Sequence, residues 1–210
     1  METSGLDRIL NSALALYSKY GIKSITLDDL CRDLGISKKT LYLHIHDKKD
    51  LIRKVMEYER HIQETNTKKM YRAGINAIDE LMYVNRMIHE NESIHSPTFY
   101  FDLKKYYPDL YGEWIEYKRK RMYEVIRRNL QKGIEEGLFR KDLDPDIISR
   151  LHMVRTETMH TSEILEDNER SASRFLHEVF RYHIHGICND KGLAYFREKE
   201  AQNLKNSERS

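Results

Sequence analysis

The stretch "LCRDLGISKKTLYLHIHDKKDL", Leu30 to Leu51, sets one glycine between two short apolar patterns. It then places two lysines, a threonine, a tyrosine and two histidines in the run from Lys38 to His46. Gly35 can take the positive φ that ends one short helix and lets the next cross it steeply, as a helix-turn-helix requires. Leu27, Leu30, Cys31 and Leu34 share one face of the first helix, which Thr26 opens as N-cap with Asp29 three residues on. Ser37 caps the second helix, and burial of Leu41 and Ile45 at i, i+4 leaves Lys38, Lys39, Thr40, Tyr42 and His44 outside. A recognition helix reads bases mainly with its N-terminal residues, within one or two turns, so its polar residues must be packed closely. A lone basic run at a helix start suits a solvated face. The common register of Gly35, Ser37, Leu41, Ile45 and Lys48 points to duplex DNA instead.

Outward from this stretch the sequence reads as all-helical. Prolines stand only at 97, 108 and 145, and the alternation expected of strands is hard to find. Gly21, Gly35 and Gly74 sit where one apolar periodicity stops and another begins, the place for a left-handed helix C-cap. Ile9, Ala13, Leu16, Tyr17 and Tyr20 share a face of a first helix, and a fourth starts near Lys48 and runs into "HIQETNTKKMYRAG". Further helices are expected from about Ile75 to Glu90, around "PTFYFDLKKYY", from Pro108 to about Glu136, and from Asp146 towards Leu165. The most regular face belongs to a helix on which Ala172, Phe175, Leu176, Val179, Phe180, His183, Ile184 and Ile187 recur. From Asn189 a polar tail is expected to fray.

Composition narrows the function classes. At 210 residues the chain is long enough for a sizeable core. Charged residues make up 33% of it yet the net charge is only +2, so a nucleic-acid footprint must be local. "METSGLDRIL" carries no basic start followed by an apolar run, and no stretch is apolar enough to span a bilayer; a cytoplasmic protein without membrane attachment is expected. Cys31 and Cys188 show no metal-ligand spacing and read as reduced thiols. Histidine raises the alternative of a metal-bearing bundle, with the Glu-x-x-His spacing at Glu157 and His160 and again at Glu92 and His95, but a His-Glu-x-x-His motif is missing. No metal site, cofactor or catalytic residue is expected. A helical adaptor using its helix-turn-helix for protein contact is another alternative, and salt-sensitive duplex binding separates the three.

The segment "ILNSALALYSKYGIKSITLDDLCRDLGISKKTLYLHIHDKKDLIRKVM", with "TLY.H...K..L" from Thr40, resembles the DNA-binding domain of the tetracycline-repressor (TetR) family over roughly residues 5 to 56. The remainder is similar in pattern, with a Gly-Leu-Phe-Arg turn at 137–140 and two terminal amphipathic helices. The resemblance implies a helix-turn-helix domain at 1–58 with the start of a linking helix, a helical ligand-binding and dimerisation domain at 59–188, and the polar tail at 189–210. It implies a homodimeric regulator, usually a repressor, released from its operator by a small molecule. It implies DNA contact by Lys38, Lys39, Thr40, Tyr42 and His44, with Thr26 and Lys48 touching phosphate. Two departures stand out: Ile45 replaces a common aromatic, and Asp28 puts an acid near a base-reading position.

By the same resemblance the pocket falls among Phe99, Tyr100, Phe101, Trp114, Tyr117, Met122 and Tyr123, side chains that equally suit a core. His152, Arg155 and His160 follow a periodicity that places His152 and Arg155 near an inward face, where they would bind an anionic ligand, pair across a dimer or line a solvated edge. Dimerisation is expected over residues about 146 to 187, the last two core helices, with interface residues Phe175, Leu176, Val179, Phe180, His183, Ile184 and Ile187, in a four-helix bundle with a second copy. The fourth helix is expected to be the only covalent link between the two regions, and so the lever that transmits ligand binding.

Overall fold

The computed structural model describes residues 5–90, 97–161 and 173–207. Among them lie ten helices, and the only β pairing is an isolated bridge between Phe139 and Cys188. The helices are α1 (Gly5–Tyr20), α2 (Leu27–Leu34), α3 (Lys38–Tyr42), α4 (Lys48–Arg72), α5 (Ala77–Glu90), α6 (Pro97–Tyr106), α7 (Pro108–Glu135), α8 (Pro145–Thr161), α9 (Ser173–Ile187) and α10 (Asp190–Ser207). Ala172, the side chain of His160 and the residues from Ser162 to Leu165 lie outside the described residues.

Two compact units form. One comprises Met1–Ala73 and Met87–Lys118, the other Gly74–Arg86 and Arg119–Ser210. The chain therefore crosses between them three times, and the expectation that α4 is the only covalent link is corrected. A single cut near residue 58 misses this because α6 and the start of α7 belong with the amino-terminal helices. Their apolar residues Phe99, Leu103, Leu110 and Trp114 fill the same core as Leu10, Leu14, Ile22, Leu41, Ile52 and Val55. Removal of so much apolar surface from water holds the unit together, at about 25 cal/mol per Å².

The buried face of α1 is Ile9, Leu10, Ala13, Leu14 and Tyr17. Tyr20 is exposed, with the Lys19 ammonium 5.0 Å from its ring centroid. Gly21, Gly35 and Gly74 all have positive φ, at 82°, 65° and 63°. At Gly21 a Cβ would lie 2.7 Å from Asp102 Oδ2, so glycine lets α6 approach the turn after α1 closely. Asp102 uses that approach to accept the Lys23 backbone N–H at 2.8 Å.

In the carboxy-terminal unit the core gathers Ile78, Ile126, Leu130, Phe139, Ile184, Ile187 and Phe196. The buried Glu80 carboxylate pairs with Lys132 at 2.6 Å and accepts from Asn129 at 3.1 Å. The Gly-Leu-Phe-Arg turn is fastened to the end of α9, where Ile187 O accepts from Arg140 N and Leu138 O accepts from Asn189 N. The expectation of a frayed tail from Asn189 is corrected as well. The tail forms α10 because Phe196 is buried in the core, with Leu193 and Tyr195 packed beside it.

Candidate functional site

The two short helices of the amino-terminal unit are built from local hydrogen bonds. Thr26 Oγ1 accepts from Asp29 N at 3.1 Å while Asp29 Oδ2 accepts from Thr26 N at 2.9 Å, a reciprocal capping box. These bonds hold the Asp29 carboxyl below its ordinary range. Gly35 ends α2 in the left-handed conformation, and Ser37 caps α3 by accepting from Thr40 N at 3.1 Å. Leu41 and Ile45 are buried, as their spacing predicts.

This anchoring leaves Lys38, Lys39, Thr40 and Tyr42 exposed together on one side. Lys38 and Thr40 are not idle there. Lys38 Nζ pairs with Asp28 at 2.8 Å, with both side chains more than half exposed, and the acid holds the ammonium above its usual range. Thr40 Oγ1 shares a hydrogen bond with Ser37 Oγ at 2.9 Å. Helix α3 is a little over one turn long, so His44 falls beyond its end. The imidazole is half-buried against Gly5 at the start of α1, and its carbonyl accepts from Lys54 at 2.8 Å.

Lys48, at the first position of α4, lies deeper than its neighbours. Its ammonium donates to the carbonyls of Ile22 and Ile25, each at 2.6 Å, and burial lowers its pKa. It thus closes the turn between α1 and α2 while standing at a helix N-terminus whose free N–H groups favour anions. Asp47 caps α4 by accepting from Asp50 N at 2.8 Å, and Asp50 accepts from His46 N at 2.9 Å.

The aromatic residues expected in a pocket are not gathered in one place. Phe99 and Trp114 are buried in the amino-terminal core, Tyr117 packs against it, and Phe101 on the opposite side of α6 is exposed. The Arg60 guanidinium lies 4.4 Å from the centroid of Tyr117, and Trp114 and Tyr117 stack at 6.0 Å. Beside them Glu59 is buried, and desolvation raises its carboxyl to about 7. Trp114 Nε1 and Arg60 Nε are buried without a hydrogen-bond partner among the described residues. Met122 packs in the other core, and the Tyr123 hydroxyl donates to Asp146 at 2.8 Å. His152 and Arg155 are joined at 2.9 Å on the inner side of α8, and His183 of α9 meets His152 edge-on.

The interface set divides. Ile184 and Ile187 close the chain's own core, and Phe180 packs edge-on against Phe196 at 6.0 Å. Ile184 and Ile187 are corrected as contact residues, because a side chain already inside its own core has no surface left for a partner. Phe175, Leu176, Val179 and His183 are partly buried. Inside the region expected to dimerise, a cleaner stripe went unnamed: Ile147, Leu151 and Val154 of α8 are each 62% exposed, and Tyr182 of α9 is 79% exposed. Their i, i+4, i+7 spacing on α8 was a readable signal.

Residues 9–55 match the family described as bacterial regulatory proteins, tetR family. The chain is 24% identical over 158 residues to the HTH-type transcriptional repressor KstR2 of Mycolicibacterium smegmatis, covering 69% of this chain and 72% of that one. It is 37% identical over 51 residues to the biofilm operon icaADBC negative regulator IcaR of Staphylococcus epidermidis, covering 24% and 28% respectively. A transcriptional regulator from Saccharomonospora viridis, solved in complex with choline, shares the fold with a TM-score of 0.70 at 17% identity, over 88% of this chain and 97% of that one. Among the described residues no helix is long and apolar enough to cross a membrane. A capped helix pair turned on Gly35, in register with the matched segment, identifies residues 9–55 as a helix-turn-helix domain of the tetR family of bacterial regulatory proteins.

Proposed function

We propose that the chain is a cytoplasmic, homodimeric repressor that binds a two-fold operator through α3 and is released from it by a small molecule. The observation that carries this reading is the exposed polar face of Lys38, Lys39, Thr40 and Tyr42, held out by buried Leu41 and Ile45. Lys39 and Thr40 would meet base edges, Tyr42 and Lys38 their surroundings, and the helix starts at Thr26 and Lys48 would seat phosphates. His44 would reach phosphate from the turn after α3. None of these steps makes or breaks a covalent bond, so the reading needs no catalyst.

A two-fold operator requires an isologous contact between subunits. The stripe of Ile147, Leu151 and Val154 with Tyr182 supports α8 and α9 in that role, and Phe175, Leu176 and Val179 lie beside it on α9. Recognition helices about one DNA turn apart, roughly 34 to 36 Å, would enter successive major grooves. An effector that favours dimers of another spacing would release DNA, and full reversal of occupancy needs a preference on the order of 5.5 kcal/mol. Two routes into the helix-turn-helix support such coupling: α4 through Lys48, and α6 through Asp102 on the Lys23 amide.

Fluorescence anisotropy on a duplex selected from random sequence tests the reading. Tight binding that weakens steeply with salt is expected, and binding no tighter to the selected duplex than to a scrambled one rejects it.

A further inference from the structure

Arg155 lies one turn after His152 on the inner side of α8, and its Nη2 donates to His152 Nδ1 at 2.9 Å. That bond makes Nδ1 the acceptor and leaves the imidazole proton on Nε2. The His152 ring meets His183 edge-on, with centroids 4.8 Å apart and planes at 63°. Burial holds His152 down to about 4 and His183 down to about 3, and the Arg155 charge pushes both in the same direction. At neutral pH the cluster therefore carries one charge, that of the guanidinium.

Among the described residues that charge has no counter-ion. Among the described residues no carboxylate pairs with Arg155, and its Nε is buried without a hydrogen-bond partner. The acids at nearby positions of α8 are engaged elsewhere: Asp146 by Tyr123 and Arg127, Glu157 by Arg119. An unpaired charge out of water is costly, and a protein retains one where a ligand or partner supplies the opposite charge. The guanidinium edge formed by Nε–H and the neighbouring Nη–H fits the two oxygens of a carboxylate side-on.

Building on the effector-responsive reading above, we propose that Arg155, set by His152 and backed by His183, is the recognition point for the carboxylate of an anionic effector. The carboxylate takes one hydrogen bond from the partnerless Nε–H and a parallel one from the second Nη2–H, and neutralises the partly buried charge. The neutral imidazoles hold the fork in place without competing for the anion.

Isothermal titration of the DNA-free protein with benzoate, octanoate, benzamide and octanamide tests this directly. At least one carboxylate should bind tenfold or more tighter than its amide, and Arg155→Met should erase that preference while sedimentation still shows a dimer. Arg155→Lys, which keeps the charge without the fork, should retain only part of it. Carboxylates that bind no better than their amides, or a preference that survives in Arg155→Met, would overturn the proposal. This comparison in the wild-type protein decides even if a variant fails to fold. A folded but monomeric Arg155→Met would also overturn it, showing that the guanidinium pairs across the subunits. DNA anisotropy with the bound carboxylate separates the two readings: binding through Arg155 with unchanged DNA affinity keeps the anion site and rejects its role as an effector site.

Discussion

The helix pair from Thr26 to Lys48 and the inner faces of α8 and α9 spend polar residues in opposite ways. In the first, each helix start is capped by a neighbour three residues away, and the charges other than Lys48 stand towards water. In the second, an arginine and two histidines are turned inward, and Arg155 Nε is left without a partner. A surface meant to meet a rigid duplex gains from being fixed in advance. A site meant to respond to a ligand gains from an unmet requirement that the ligand fulfils. The contrast suggests that the first region holds its shape whether or not DNA is bound, while the second is completed by its ligand.

The strongest break of this comparison separates assembly from fold. Leu151→Arg puts a charge into the exposed apolar stripe without disturbing the core of the chain, and should cost about 3–5 kcal/mol in dimer affinity. Sedimentation should show a monomer with unchanged helical circular dichroism, and operator binding should be lost. A persistent dimer removes the α8 stripe from the interface. Phe180→Arg is a poorer test, because Phe180 packs on Phe196 within its own core.

Acidity acts with opposite signs on the α8–α9 cluster and on Glu59 in α4 of the amino-terminal unit. The folded-state pKa values of His152 and His183 are depressed, so their contribution is complete above about 6.5 and is lost as pH falls towards 4 and 3. Glu59 is the reverse case. Its carboxyl is raised to about 7, so the fold is favoured below the ordinary value of 4.5 and loses that advantage as pH rises through 7. Urea unfolding should show Glu59→Gln more stable than wild type at pH 8, by on the order of 2 kcal/mol. His183→Phe should flatten the loss between pH 6.5 and 4. Parallel pH profiles for wild type and both variants would contradict these assignments.

Lys48 tests whether the helix pair is held by long-range bonds as well as by its caps. Lys48→Ala removes two charge-assisted bonds to Ile22 and Ile25, and should lower stability by about 1.5–3 kcal/mol in chemical denaturation. No loss would mean that these carbonyls are satisfied equally well by water. The smallest effect is expected at Asp28. Asp28→Asn releases Lys38 from its exposed pair, so non-specific duplex affinity at low salt should rise slightly. Unchanged affinity would remove Lys38 from the DNA face.

What could be read from the sequence followed the range of the interactions. Thr26 with Asp29, Gly35, and Ser37 with Thr40 are signals three residues apart or less, and the amphipathic spacing of Leu41 and Ile45 is equally local. Lys48 on Ile22, and Asp102 on the amide of Lys23, join residues 26 and 79 positions apart, and no local pattern announces them. The aromatic run was ambiguous for a related reason: Phe99 and Phe101 differ by two positions on a helix, so one entered the core and the other faced solvent. In α10 a mostly polar sequence hid a helix that Phe196 anchors, and on α9 periodicity found the apolar face without telling a core from an interface. Inward placement of His152 and Arg155 was legible from α8. That no acid among the described residues pairs with Arg155 was not, because that depends on what the neighbouring helices bring.

The most direct test of the account is the effect of Lys39→Ala on cognate and scrambled duplexes at several salt concentrations. Lys39 stands exposed near the start of α3, where base edges are within reach. The variant should lose about 1–3 kcal/mol on the cognate site and much less on the scrambled one. An equal loss on both duplexes, or binding that does not change, would contradict the assignment of α3 as the helix that reads DNA sequence.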